Sequence, residues 1–499
     1  MQVPLIQIKN KSTILSDTRW LAGSLYLSKV ISLPCSIFMA RFLGPSLYGT
    51  WNALRLILRY AAFLQLGMFD GMTREIPYCK GRNNYDLIGL YRSNVFSISL
   101  LISIFVAIIL ALYAFVFGSF NDPIIQIGIG VMAFILVFYH LYGFYEYLLK
   151  AEQDFKTLSK VKIFYTAGGP FLQVISVLLW GIYGLFFATL SINIGIFLYI
   201  YVLKPISLKW PSLKYLIPLS RTGLPMMLNG MADILLYTSD RIMILAFLGT
   251  TELGYYAAAT LAASFIDFIP TALQNVLLPK IMHQRGINEK HANLGKYWLE
   301  PIYILSYLLP VFVGIGWLIS PIILNVFLPK YIPGLLALKI LVFGMCFSSI
   351  LALSRNLFVA LNKQFRVLLA FMGASVISIV LNYSLLKIGL GITGVAIASS
   401  SSFFILSIVM LYMSLLLQET KFVVLEILVR IYKPIIATLV FLIIIERILP
   451  GQINYMSELY YLSIRLILFI SLQFIFSIFS IKKDLKLFDL FMKLKSQLS

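Results

Sequence analysis

Apolar runs long enough to cross a bilayer recur along all 499 residues, and the segments between them alternate between basic and nearly uncharged. A spanning helix needs about 20 predominantly apolar residues; residues 100–117, 302–319 and 401–417 are examples. Inside hydrocarbon every backbone N–H and C=O must be satisfied within its own segment, so runs of this length fold as helices. No stretch is long and polar enough to read as a separate soluble domain. The first apolar segment is too long for a cleavable leader and carries Arg19 and Lys29, so it reads as a retained span.

A net charge of +20 would suit a nucleic-acid-binding protein, but its placement argues for a membrane instead. The N-terminus, the segments 70–92, 150–162, 204–221, 280–296, 361–366 and 421–433, and the tail together hold 28 lysines and arginines. The intervening loops 44–47, 118–123, 181–184, 249–253, 320–332, 387–391 and 446–458 hold three: Lys330, Lys387 and Arg447. That alternation is the positive-inside rule repeated along the chain. It predicts an all-α integral membrane protein of about fourteen transmembrane helices, with both termini cytoplasmic, and it leaves no charge that calls for a nucleic acid. A bacterial inner membrane is the expected location.

Cys35, Cys79 and Cys346 are placed in spans or a cytoplasmic loop and are not expected to bridge. His140, His283 and His291 lack metal-ligand spacing. A nucleotide-binding glycine loop, a nucleophile elbow and paired carboxylates in a polar segment are all missing from the sequence, which argues against an ATP-driven pump or a soluble-type enzyme and implies no cofactor.

The chain repeats itself at an offset of 205–210 residues. Phe42-Leu43-Gly44 returns as Phe247-Leu248-Gly249, and Gly49 as Gly254. Gly181, Gly184 and Ala188 return as Gly391, Gly394 and Ala398, and Phe155 pairs with Phe365. An offset of six spans keeps both copies in one orientation, a parallel repeat of two six-helix lobes with two C-terminal helices added. The expected division is 1–210, 211–420 and 421–499.

Ala40-Arg41-Phe42-Leu43-Gly44-Pro45-Ser46-Leu47-Tyr48-Gly49, followed by Leu66-Gly67, resembles the first-repeat signature of O-antigen type polysaccharide flippases. Gly223-Leu224-Pro225, Ser239-Asp240-Arg241-Ile242-Met243-Ile244, Leu248-Gly249, Leu253-Gly254-Tyr255-Tyr256 and Leu278-Pro279 resemble the second. That family belongs to a superfamily shared with multidrug-and-toxin exporters and lipid II flippases. The resemblance implies export of an undecaprenyl-pyrophosphate-linked oligosaccharide by a monomer in contact with membrane lipids, driven by a proton or sodium gradient. A lipid II flippase and a drug exporter remain alternatives within the superfamily, though basic residues in the spans count against cationic drugs. A membrane glycan polymerase or ligase would need a larger external loop than the thirteen residues of 320–332 or 446–458.

Nine basic residues fall inside the spans: Arg19, Lys29, Arg41, Arg55, Arg59, Arg241, Lys339, Arg355 and Arg465. A charge at a helix centre costs at least about 2.5–3.5 kcal/mol in lipid and should face water, a partner or the bundle interior. Arg19, Arg355 and Arg465 lie near helix ends and are expected to snorkel, while Arg41 suits packing or an interface. Lys29, midway along the first span, is expected to line a cavity. Arg55 and Arg59 are spaced i, i+4 and share a face with Asn52; they suit either an anionic ligand or a hidden carboxylate. In the repeat they correspond to Thr260 and Ser264, so a diphosphate is expected against the first lobe. Arg241 is the fourth candidate substrate contact.

Asp233, Asp240 and Asp267 are the candidate ion-coupling acids. Asp233 lies mid-span after Asn229, and Lys29 aligns with position 234, so these two are expected to meet. Asp240 suits bracing between helices or coupling, with bracing preferred. Tyr139, Tyr142, Tyr145 and Tyr147, beside Glu146, suit a sugar path or, preferably, interfacial anchoring. Segment 204–221, with Trp210, Leu213, Leu216 and Ile217, and the tail 481–494 are expected to lie on the membrane surface as amphipathic stretches.

Overall fold

A computed structural model describes residues 11–116, 122–267, 295–417, 424–450 and 460–480, with scattered positions at 270–281; the side chains of 11–29 and 295–297 fall outside the description. The tail 481–494 and the side chains of Arg19 and Lys29 therefore lie outside the described residues.

The described elements are helical: α1 Lys11–Ala61, α2 Met68–Gly81, α3 Tyr85–Val116, α4 Pro123–Ala151, α5 Phe155–Ile163, a π-helical turn Phe164–Gly168, α6 Gly169–Leu203, α7 Leu213–Phe247 and α8 Thr250–Ile266. Then follow α9 Gly295–Phe327, α10 Leu335–Ala360, α11 Gln364–Lys387, α12 Gly391–Leu416 and α13 Val424–Ile448, and last α14 Tyr460–Ser480. Ten described segments are long and apolar enough to span a membrane. Two of them are double. Gly44 (φ 72°, ψ 172°) breaks α1 and Pro45 restarts it, a proline being suited to the first turn of a helix; Trp180 and Gly181 break α6. Divided at those breaks, and with α7 and α8 added, the long helices number about fourteen, in keeping with the expected span count, and the chain is a multi-pass membrane protein. Leu101, Phe105, Ile108 and Leu112 are exposed on α3, as the lipid-facing surface of a membrane helix should be.

The chain divides into two compact units, 1–234 and 235–499. In the first, Phe69, Met72, Val95, Phe96, Phe144, Tyr145 and Ile200 form a core that also takes Leu216 and Leu219 from the start of α7. The join to α7 is not the amphipathic surface helix expected of 204–221. Residues 205–212 are irregular and α7 begins at Leu213. The segment is tied down instead: Lys209 N–H donates to Ser97 Oγ (3.1 Å), Ser212 N–H to Asn94 Oδ1 (2.6 Å) and Tyr145 O–H to the Lys204 carbonyl (3.1 Å). Leu216 is buried, while Trp210 stands 88% exposed.

In the second unit α10 packs against α9 and α12. The two C-terminal helices dock through Leu442, Ile445, Leu462 and Phe469 onto Trp317 and Leu318 of α9.

The repeat has a backbone counterpart. Gly249 (φ 91°, ψ −173°) repeats the conformation of Gly44, and Gly391 (φ 54°) matches Gly181 (φ 56°) in its positive φ. These dihedrals suit glycine because a Cβ would collide with the backbone. The turn after α4 corrects the alignment by one residue. Gln153 (φ 60°) and Asn362 (φ 56°) are its left-handed residues, and the helices that follow begin at Phe155 and Gln364, so Phe155 pairs with Gln364 and not with Phe365.

Candidate functional site

After the Gly44 break, α1 turns Trp51, Leu54 and Leu58 into the first unit, where Trp51 meets Phe186 of α6 at 6.2 Å. Helical geometry then places Arg55 and Arg59 together on an exposed face. The Arg55 guanidinium lies 5.9 Å from the Trp51 ring. Tyr139 of α4 lies within Coulombic range of both arginines, and Tyr165 of the π-helical turn within range of Arg55. Asn52 is turned back, its amide donating to the Tyr48 carbonyl at 2.7 Å.

Further charges lie on α2, α4 and α5 of the same unit. Glu146 of α4 accepts from Lys150 and from Lys162, each at 2.7 Å. Tyr142 stacks on Tyr165 at 4.7 Å and 19°. The Gln65 side chain accepts from Phe69 N–H and donates to Asp70, both at 3.1 Å. Burial pushes the Asp70 carboxyl up, against the pull of the Gln65 amide and the Lys150 charge. The first unit thus holds Arg55 and Arg59 on one helix and the Lys150–Glu146–Lys162 group on α4 and α5, with Tyr139 and Tyr165 within Coulombic range of both Arg55 and Glu146. The sequence pointed to the two arginines. The lysines fall in a segment whose basic charge is already explained by topology, although Glu146 and Lys150 stand i, i+4.

Tyr142 and Tyr145 are buried, Tyr145 completely, and this overturns their expected role as interfacial anchors. Asp233 is half-buried midway along α7; its expected neighbour Lys29 cannot be compared, since that side chain is outside the described residues.

In the second unit Asp240 is 6% exposed. Its Oδ2 accepts from Tyr256 O–H at 2.6 Å and its Oδ1 from Arg241 N–H at 2.7 Å, and Ser399 Oγ lies 3.4 Å from the Tyr256 oxygen. The carboxylate thereby connects α7 to α8 and, through Tyr256, to α12. Arg241 is half-buried, with a buried Nε. Asp267, just past α8, receives long hydrogen bonds of 3.4 Å from Thr271 and from Ser348 of α10. Lys339 pairs with Glu446 at 2.5 Å, and the Trp317 indole donates to the same carboxylate at 3.0 Å. Arg465 does not snorkel: it is 3% exposed and donates to the Pro450 carbonyl at 3.0 Å. Arg355 lies 5.5 Å from the Phe371 ring.

A family described as polysaccharide biosynthesis protein matches residues 38–334, more than half of the chain. The chain belongs to that family. A relative from Shigella flexneri, provisionally named an O-antigen transporter, is 22% identical over 374 residues, which cover 70% of this chain and 86% of the relative. Among solved structures, an inward-closed lipid II flippase MurJ superposes with a TM-score of 0.68 at 18% identity, covering 93% of this family member and 99% of MurJ. An inward-facing multidrug transporter of the MATE family and MOP superfamily superposes at 0.60 and 16% identity, covering 80% and 95%. These likenesses show that the family member shares the fold of those transporters.

Proposed function

We propose that this protein is a flippase carrying an undecaprenyl-pyrophosphate-linked oligosaccharide from the cytoplasmic to the outer leaflet of a bacterial inner membrane, by alternating access. The observation that carries the reading is the exposed Arg55–Arg59 pair on a membrane-embedded helix of a polysaccharide biosynthesis protein. Two guanidinium groups on one face in hydrocarbon are costly without an anion. A diphosphate matches them, since each guanidinium can present two parallel N–H donors to phosphate oxygens. Tyr139 and Tyr165 beside them offer ring faces to a sugar. A cationic drug would meet repulsion on this face.

The positive-inside alternation supports cytoplasmic termini, which puts the Ala61 end of the face toward the cytoplasm. Reporters fused after Asn121, Gly249 and Gly389 should then read outside, and those after Arg82, Lys160 and Lys290 inside. For coupling to a proton or sodium gradient we favour Asp233, half-buried in mid-helix. Asp233→Asn should bind substrate and lose gradient-driven transport; wild-type uptake into energised vesicles by that variant would remove it. Arg241, Asp240 and Asp267 are retained as secondary candidates for substrate contact and coupling.

The deciding experiment removes the gene and follows the lipid-linked oligosaccharide. It should accumulate on the cytoplasmic side, and Arg55→Gln or Arg59→Gln should reproduce the defect at normal membrane abundance, with lysine restoring only part of the activity. Normal export by both glutamine variants would place the site elsewhere.

A further inference from the structure

Glu146 stands between ammonium groups from two elements, Lys150 on its own helix and Lys162 on α5. One carboxylate against two lysines leaves the trio with a net positive charge. Each ammonium has three donors and spends one on Glu146, so donors remain. The side chains are 15%, 39% and 20% exposed for Glu146, Lys150 and Lys162, which lets a small anion reach them.

A purely structural clasp between α4 and α5 is the simplest alternative, and the repeat tests it inside the same chain. The turn geometry pairs Gln153 with Asn362. In that register Glu146, Lys150 and Lys162 correspond to Arg355, Val359 and Phe371. There the guanidinium of Arg355 rests against the Phe371 ring at 5.5 Å. At these three positions the second copy has a cation, an aliphatic side chain and a ring, and not a carboxylate between two cations. The extra charge is therefore not demanded by the fold. It occurs in the unit that also carries Arg55 and Arg59, and Glu146 lies within Coulombic range of Tyr139 and Tyr165, the tyrosines that sense Arg55.

Resting on the diphosphate reading above, we infer that Lys150 and Lys162 form an entry station for the diphosphate head group. Glu146 is the resident anion that the head group displaces before it passes to Arg59 and Arg55. A competing carboxylate weakens capture and speeds release. Removing it should tighten binding, whereas removing a merely structural clasp would not.

The test uses the full-length protein in phosphatidylcholine nanodiscs, with inorganic pyrophosphate as the probe in equilibrium dialysis. Glu146→Gln should bind pyrophosphate about tenfold more tightly, the scale of one charge-assisted hydrogen bond, and should transport more slowly. Lys150→Gln combined with Lys162→Gln should bind at least tenfold more weakly. Unchanged or weaker binding by a Glu146→Gln protein of wild-type melting temperature overturns the inference. So does wild-type binding by the double lysine variant. If the Arg55→Gln, Arg59→Gln double variant binds normally, it is the diphosphate reading of the arginines that fails. If it loses binding while the Glu146 and lysine variants behave as wild type, the entry station alone fails. Repeating the titration in discs containing phosphatidylglycerol separates the two phosphate sources. Competition by that lipid through Lys150 and Lys162 would make the trio a bulk-lipid contact and overturn the assignment.

Discussion

Within the first unit, the start of α7 lies directly on the backbone of α2, and Gly223→Ala should break that seam. A Cβ on Gly223 would stand 1.9 Å from the Gly67 carbonyl oxygen and 2.4 Å from the Gly71 nitrogen, far inside the 3.0 Å below which real Cβ contacts are essentially not seen. The obstacle is backbone, so a rotamer change cannot relieve it and the helices must part. Overpacking of this kind costs about 1–3 kcal/mol. Separation also stretches the bonds from Ser220 Oγ to the Leu66 carbonyl (2.6 Å) and from Thr222 Oγ1 to Glu75 (3.2 Å), each worth up to about 1 kcal/mol and less where exposed. A total of about 2–4 kcal/mol is a change of tens-fold to several hundredfold in an equilibrium constant. Gly230→Ala on the same helix is the control, because its Cβ would meet nothing within 4 Å, and alanine should gain about 1 kcal/mol of helix propensity. Melting in detergent, followed by the monodisperse fraction on gel filtration, should show Gly223→Ala several degrees below wild type and Gly230→Ala at or above it. Equal melting of the two variants would refute the close-approach argument.

Asp240→Asn should melt several degrees lower, since an amide cannot accept from both the Tyr256 hydroxyl and the Arg241 N–H as the carboxylate does, and a buried donor left unpaired costs about 1–3 kcal/mol. Glu446→Gln should lower the yield of folded protein by removing the charge partner of the half-buried Lys339 ammonium, while a Lys339→Met, Glu446→Leu double variant should recover it on a thermal-shift measurement. The join 204–212 should hold across neutral pH. Burial raises the Asp154 carboxyl, but the Lys204 hydrogen bond and charge outweigh it and hold the group below its usual range. Burial likewise lowers Lys204, and Glu152 and Asp154 outweigh it and raise that ammonium. The acid's contribution is present above the ordinary carboxylate range and lost as pH falls through its lowered pKa; the lysine's is full below the ordinary lysine range and lost as pH rises through its raised one. Proteolysis after Lys209 should accordingly stay slow from about pH 5 to 9, and an Asp154→Asn protein cut faster throughout that window would show the pair at work.

The spans, the helix breaks and the family were legible because each rests on local chemistry. Hydrophobic length marks a span, Gly44 and Gly181 mark positions where other residues are strained, and the signature residues sit close together in sequence. The side-chain partners were not legible, because hydropathy tells how apolar a helix is and not which face meets which. Lys339 and Glu446 are 107 residues apart, and Glu446 lies in the last turn of α13, inside the segment 446–458 that its composition marks as a loop. Nearness to a helix end predicts that Arg465 reaches the membrane surface, yet it donates to the Pro450 carbonyl just past the end of α13. Tyr145 is consumed by the core and by Lys204. The Lys150–Glu146–Lys162 trio was hidden for another reason: charges that set topology and charges that touch a ligand look alike when counted by segment.

The repeat separates what the backbone requires from what the chemistry adds. Gly44 and Gly249 share a conformation, as do Gln153 and Asn362, so both halves of the chain need the same breaks and turns. At the positions of Arg55 and Arg59 the second copy has Thr260 and Ser264, whose hydroxyls donate to carbonyls of their own helix at 3.0 and 2.6 Å. A hydroxyl bonded to its own helix is satisfied in lipid and asks for nothing more. A guanidinium has five donors and a fixed charge, and one turn of helix cannot satisfy it. Two copies of one backbone differ by that exchange, and this difference is what the proposed diphosphate site on the first unit builds on.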